Sequence, residues 1–344
     1  TGSVGKTTTK EMIGEVLKKL GRIKLSHANF NNEIGVGLTI LATDQEDKVL
    51  VLEMGMRGLG QIENLSKFSE PDIAVITNIG TAHIGLLGSK KNITHAKCEI
   101  SKFLNPKGVV IIPANDLFLE ETLKEYWKGR VIKVELLNIE NQGKSFNKER
   151  NLQGFYNSLN KTILIEENTF EISFEGFHNA SNFLFAYAVA KELSIDFASF
   201  NKFDFTSLTG RNKIIKSVKT TIYDESYNAS PESVKACIKN LLEKKGNHFF
   251  IFGSMQELGK QSEKYHKEIF ALINNSDIDK CLFICDKENE KLYYNYLKDK
   301  KNFLVFNSIK NIPKEINKFT KKGDSILIKG SRCWELEKIV ELIN

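Results

Sequence analysis

The stretch TGSVGKTTTKEM, Thr1 to Met12, decides the fold. Gly2 and Gly5 let the backbone wrap closely round phosphate oxygens, so that several N–H groups point inward. A helix starting near Lys6 adds its positive end to the same place. Lys6 offers a point charge to the β- and γ-phosphates of a nucleotide, and the Thr7 hydroxyl can ligate Mg²⁺. With Ser3 and Thr8 these residues form the expected nucleotide-contacting set. A helix start that merely happens to be glycine-rich is the other reading. The amphipathic run Met12, Ile13, Val16, Leu17, Leu20 after GKTT supplies the loop-to-helix context that a phosphate loop requires. Such a loop hangs from the end of a buried strand. None precedes Thr1, so the loop is expected to follow a strand and further sequence upstream.

The bulk properties bound the class. A chain of 344 residues has room for about two domains. Its 41% hydrophobic and 27% charged residues are those of an ordinary globular protein. No apolar run approaches the roughly 20 residues that span a bilayer, so no membrane insertion is expected. The net charge of +6 is spread along the chain in short lysine pairs. That pattern suits solvated helix ends and an anionic small substrate better than a nucleic acid. The five cysteines, Cys98, Cys237, Cys281, Cys285 and Cys333, lack metal-site spacing and read as reduced residues of a cytoplasmic protein.

Along the chain, apolar runs alternate with helical patterns. Strands are expected at Val49–Glu53, Ile73–Thr77, Val109–Ile112 and Val131–Val134, with helices at Gln61–Phe68, Asn92–Leu104 and Leu117–Trp127. This predicts an α/β fold: a central phosphate-loop ATPase domain with a mostly parallel sheet, at residues 1–208. Thr162–Ile165 and Thr169–Phe174 suggest a small antiparallel addition before a long helix from Asn179 to Leu193. Near Leu208-Thr209-Gly210-Arg211 the alternation restarts. A smaller Rossmann-like α/β domain is expected over 209–344, with its last helix at Trp334–Ile343.

Polar clusters follow the strands, where open α/β sheets bind ligands. Glu53 ends VLVLE and can hold Mg²⁺ or its water shell, or be a solvated strand-end acid. His83 follows the next strand, expected beside that of Glu53, and is read as a metal ligand or a structural histidine. Lys97 taken alone is a solvated helix lysine. Asn179 and Asn182 share a helix face and either read a purine edge or cap the helix. Asp224 could take a ribose hydroxyl, Arg211 a phosphate, and Lys329-Gly330-Ser331-Arg332 opens the last helix as an anion-friendly turn.

Taken together, TGSVGKTTTKEM, NNEIGVG (Asn31–Gly37), LEMGMRGLGQI, TNIGTAHIGLLGS, AKCEI, FHNASN, Gly210-Arg211, DESYNASPES, GSMQELG (Gly253–Gly259) and LIKGSR resemble the ATP-dependent Mur ligases of bacterial cell-wall synthesis, in that family's order. The acidic pair leading into SYNASP, followed by GSMQELG, is similar to members that join D-alanyl-D-alanine to UDP-N-acetylmuramoyl-tripeptide. Another Mur-type ligase is the alternative, and from another class a phosphate-loop switch or transport ATPase. The resemblance implies ATP and Mg²⁺ at two sites held by Thr7, Glu53, His83 and a carbamylated Lys97. It implies that Asn179 and Asn182 lie at the adenine, Arg211 at a phosphate, and Asp224 or its neighbour Glu225 at the nucleotide. Lys6, Lys97, His83 and Arg211 would be the catalytic set; Asn31, Asn32, Asn228 and Lys329 would face the substrates, in a monomer. The reaction implied is amide ligation: the tripeptide carboxylate attacks the γ-phosphorus, and the amine of the dipeptide then attacks the acyl phosphate. Two departures fall within the chain: Gly85 stands where an acidic residue is frequent, and Phe183 where a small one is. The family's uridine-binding first domain is expected upstream of Thr1, and ligation without it is expected to be negligible.

Overall fold

Helix α1 (Lys6–Leu17) starts where Gly5, in the left-handed region at φ 80°, turns the chain into it. Met12, Val16 and Leu17 lie buried along its inner side. The computed structural model describes residues 1–141, 151–197, 202–205 and 210–343, and the chain falls into two units, Thr1–Thr206 and Ser207–Asn344. The domain boundary expected at 208/209 lies outside the described residues.

In the first unit, β1 (Ile23–Leu25) and β2 (Val49–Val51) pair in parallel as a small sheet. A larger sheet orders β3 (Ile73–Val75), β4 (Val109–Pro113), β5 (Arg130–Asn138), β6 (Asn151–Asn157), β7 (Thr162–Ile165), β8 (Asn168–Ile172) and β9 (Lys202–Phe203) in sequence. Pairing is parallel from β3 to β6, antiparallel through β7 and β8, and parallel again to β9. The antiparallel addition is therefore an extension of the main sheet. β2 does not pair with β3, contrary to the expectation that Glu53 and His83 leave adjacent strands. The edge of β3 is taken by Thr1, whose nitrogen donates to the Val75 carbonyl (2.8 Å) and whose carbonyl accepts from Thr77 N (2.9 Å).

The helices of this unit are α2 (Glu33–Leu41), α3 (Gln61–Ser69), α4 (Ile84–Leu87), α5 (Lys90–Cys98), α6 (Leu117–Tyr126) and α7 (Phe177–Glu192). The helix expected to reach Leu104 ends at Cys98, because a 3-10 turn at Glu99–Ser101 follows and the Ser101 hydroxyl takes the Cys98 carbonyl. α1 and α7 pack together over the sheet, sharing a core of Met12, Val16, Ala180 and Leu184. Phe183, the departure from the family pattern, is buried with its ring 4.6 Å from Phe203 and 5.6 Å from Phe170. A neighbouring aromatic cluster thus absorbs the larger side chain.

The second unit holds β10 (Lys213–Lys216), β11 (Thr220–Glu225), β12 (His248–Gly253), β13 (Lys280–Ile284), β14 (Phe303–Phe306) and β15 (Asp324–Lys329), in the spatial order β10-β11-β15-β12-β13-β14. Only β10 runs antiparallel. Helices α8 (Pro231–Leu242), α9 (Ser262–Asn274), α10 (Lys287–Leu297), α11 (Ile312–Phe319) and α12 (Glu337–Ile343) connect them. β12 and β15 are buried along their whole length, as the apolar runs Phe249–Phe252 and Ile326–Ile328 at their centres require. The last helix starts at Glu337 and not at Trp334, since Glu335 adopts φ 47° after a 3-10 turn at Arg332–Trp334. Lys329–Arg332 therefore opens that turn, not a helix. Among the described residues no helix is long and apolar enough to cross a membrane.

Candidate active site

The phosphate loop is stapled to the end of β3 by Asn78. Its Oδ1 accepts from Ser3 N (3.2 Å) and Val4 N (3.0 Å), and its Nδ2 donates to the Val4 carbonyl (2.9 Å). Thr77 Oγ1 donates to the same carbonyl (2.6 Å), and Gly80 N donates to Ser3 Oγ (2.8 Å). Lys6 folds back so that its Nζ donates to the Gly2 carbonyl (2.9 Å). Thr7 and Thr8 open α1 and are buried.

Gly5 is required twice over. Its φ of 80° disfavours any side chain, and a Cβ there would stand 2.5 Å from Asn182 Oδ1. Gly5→Ala is expected to cost roughly 1–2 kcal/mol for the left-handed backbone alone and to weaken nucleotide binding by displacing the loop. Thermal unfolding and ATP titration check it; a variant matching the parent in both would show that the loop tolerates the strain.

Glu53, 3% exposed, is held on three sides. Its N–H donates to Ser26 Oγ (2.9 Å), Oε1 accepts from Asn31 Nδ2 (2.7 Å), and Oε2 accepts from Thr7 Oγ1 (2.6 Å). The hydroxyl of Thr7 and the carboxylate of Glu53 therefore meet beside the phosphate loop. Both are hard oxygen donors of the kind Mg²⁺ prefers, so the residues present fit that ion. Lys97, on the last turn of α5, is 2% exposed. Burial, reinforced by the charge of Lys6, holds its amine well below the ordinary 10.5. It is not the solvated lysine that its sequence position alone suggests. His83 stands half-buried in the left-handed region (φ 64°) at the start of α4.

Asn32 caps α2, its Oδ1 accepting from Gly35 N (2.9 Å), so this stretch is a turn running into a helix. Asn179 Nδ2 donates to the Glu175 carbonyl (2.7 Å), and Asn182 Oδ1 accepts from Thr9 Oγ1 (3.2 Å). The structure thus brings Asn182 against the phosphate loop, while Asn179 ties the start of α7.

Within the second unit, Arg211 lies over the Tyr227 ring at 3.9 Å. Asp224 is buried, with Oδ2 accepting from Gly210 N (3.2 Å) and Oδ1 from Ser226 N (3.1 Å). Glu225 instead accepts from Asn212 N (3.1 Å). Lys329, also buried, donates to the Asn228 carbonyl (3.1 Å) and lies 3.9 Å from Glu225. Asn228 is exposed, its Oδ1 taken by Ala229 N (2.9 Å). The loops after β12 and β15 are joined, since Gln256 N donates to Ser331 Oγ (2.9 Å) and Trp334 Nε1 to the Ser254 carbonyl (3.0 Å). Sequence reasoning did not single out Asn78, Ser26 or Lys10. Their common signal is a polar residue at a strand end or on an apolar helix stripe.

A glycine-rich loop closing on a helix, with an acid held against its threonine, defines a nucleotide-binding α/β protein of the phosphate-loop class. Residues 1–190 match the Mur ligase middle domain, and 210–332 the Mur ligase glutamate ligase domain. The chain is 36% identical to the UDP-N-acetylmuramoyl-tripeptide–D-alanyl-D-alanine ligase of Bacillus subtilis, over 99% of this chain and 74% of that one. It is 34% identical to the enzyme of the same name from Synechocystis, over 84% of this chain and 62% of that one. Solved structures of MurF from Acinetobacter baumannii (TM-score 0.85) and of MurF from Thermotoga maritima in complex with ADP (TM-score 0.84) are each 26% identical and cover 99% of this chain, with 75% and 78% of theirs. The chain belongs to the Mur ligase family, whose members are ATP-dependent, ADP-forming ligases.

Proposed function

We propose that this protein joins D-alanyl-D-alanine to UDP-N-acetylmuramoyl-tripeptide at the expense of ATP, in the synthesis of peptidoglycan precursors. The carrying observation is Lys97: a lysine buried to 2%, its amine held well below the ordinary 10.5 by that burial and by the charge of Lys6. A nucleotide switch or transport ATPase has no use for it. A ligase that must bring two anions together does, because an uncharged amine can take up CO₂ and become an anionic carbamate.

In this reading the loop N–H groups of Gly2 to Gly5 and the charge of Lys6 bind the β- and γ-phosphates. Thr7, Glu53, His83 and a carbamylated Lys97 would hold Mg²⁺, at two sites. The tripeptide carboxylate attacks the γ-phosphorus and ADP leaves, a step in which Mg²⁺, when bound, would supply charge neutralisation. The resulting acyl phosphate is then attacked by the amine of the dipeptide, which loses a proton as phosphate departs. Asn179 and Asn182 are assigned to the adenine side, and Arg211 and Asp224 to the nucleotide. Asn31, Asn32 and Asn228 are assigned to the substrates, with Lys329 acting by holding the Asn228 turn. Residues 1–208 and 209–344 are proposed as the two domains of a monomer. Reduced cysteines, four of the five buried, support a cytoplasmic location, and a role in cell-wall biogenesis, and through it in cell shape and division, is part of this reading.

The test is the substrate dependence of ADP release in the full natural chain. Release is expected only when the peptidyl carboxylate and D-alanyl-D-alanine are both present, with one amide formed per ADP. Turnover that ignores both would point to the switch ATPase, and turnover with a free amino acid in place of the dipeptide to another Mur-type ligase.

A further inference from the structure

Lys10 is a lysine on the apolar stripe of α1, in line with Ile13 and Leu17, and it is 2% exposed. Its Nζ donates to the carbonyls of Ser26 (2.5 Å) and Ala28 (3.2 Å) and lies 2.8 Å from Glu11 Oε1. Those three acceptors fill the ammonium's three donors. A buried charge is costly unless so satisfied, and an apolar residue would pack the stripe without that cost. What the lysine adds is a grip on the segment 26–28.

That segment needs holding, because Ala28 sits in the left-handed region at φ 46°. It also carries the contact that fixes Glu53: Ser26 N donates to the Val51 carbonyl (3.0 Å), and Ser26 Oγ accepts the Glu53 N–H (2.9 Å). A few residues on, Asn31 takes Glu53 Oε1 through its side chain and Gly55 N through its carbonyl (2.8 Å). One turn earlier on the same helix face, Thr7 reaches Glu53 Oε2. Helix α1 therefore holds this carboxylate directly through Thr7 and indirectly through Lys10 and Ser26.

We propose that Lys10 is a positioning residue for the metal-binding acid Glu53, setting where the carboxylate stands relative to the phosphate loop without itself touching nucleotide. The inference rests on the assignment of Glu53 to the metal. Supporting groups of this kind usually change metal affinity by about 10- to 100-fold.

The test measures Mn²⁺ binding by electron paramagnetic resonance in the full natural chain with a non-hydrolysable ATP analogue, and analogue binding in EDTA. Lys10→Met keeps most of the stem and loses the donors. It is expected to weaken Mn²⁺ at least about tenfold while analogue affinity in EDTA stays within about twofold. A purely structural role would lower both together, and that result overturns the proposal, as does unchanged Mn²⁺ affinity. If Lys10→Met does not fold, Ser26→Ala decides: it removes only the acceptor for Glu53 N–H and must weaken Mn²⁺ selectively, and an unchanged affinity overturns the proposal. Glu53→Gln is the control. If Glu53→Gln leaves Mn²⁺ binding unaltered, the metal assignment fails and takes the inference with it; if it weakens binding while Lys10→Met does not, only the inference fails.

Discussion

Lys6→Ala is expected to abolish ATP-dependent ligation while leaving the fold intact. The charge of Lys6 is the one that the loop places among the phosphates, and its Nζ already stands within the loop at the Gly2 carbonyl. When the peptidyl carboxylate approaches the γ-phosphate, two anions meet, and the loss of a positioned cation leaves that repulsion uncompensated. Removal of a single preorganised donor costs roughly 10²–10³ in rate, and a full charge at a phosphoryl centre should cost no less. The fold should survive because the loop keeps its Asn78 and Thr77 staples, none of which involves the lysine side chain. Lys6→Arg should not rescue, since the planar fork is larger than the ammonium and presents its donors differently. The measurements are ADP release and thermal unfolding, and a folded Lys6→Ala protein with full turnover would remove the phosphate-loop assignment.

How far the sequence anticipates this site depends on the range of the interactions. The loop at Gly2–Thr8 and the acid Glu53 are legible because each follows from local grammar: glycines before a helix, an acid at the end of an apolar strand. Helix α2 is not. NNEIGVGLTIL has two glycines and apolar residues at alternating positions, with Ile34, Leu38 and Leu41 left exposed, so its periodicity points away from a helix. Its one local signal is the Asn32 cap. Lys97 shows the opposite limit. Nothing in AKCEI says that the lysine is buried, because its burial comes from distant chain; only the family resemblance flagged it. Asn78 and Lys10 act on residues 74 and 16 positions away, respectively, and no spacing rule reaches that far.

Lys97→Ala is expected to be inactive and to regain part of its activity when a short carboxylate such as acetate is supplied. The argument begins with desolvation. Burial to 2% exposure and the field of Lys6 disfavour the ammonium and push the amine well below its usual 10.5, which favours the free amine, the form that reacts with CO₂. The nitrogen lone pair forms a bond to the carbon of CO₂, a C=O bonding pair moves onto oxygen and one proton leaves the nitrogen, so a neutral amine becomes an anionic carbamate. The product places carboxylate oxygens where the positive field of Lys6 stabilises them, so the same field that suppresses the ammonium favours the carbamate. Removing the side chain leaves a vacant space next to that field, which a small carboxylate can enter and a larger one cannot. Lys97→Arg keeps a positive charge and cannot be carbamylated, so it should be inactive and not rescued. With ¹³C-labelled CO₂ the parent protein should show a carbamate resonance that Lys97→Arg lacks. An active Lys97→Arg, or a parent without that resonance under conditions of full turnover, would leave Lys97 as a buried, unmodified lysine and the metal site without its carbamate ligand.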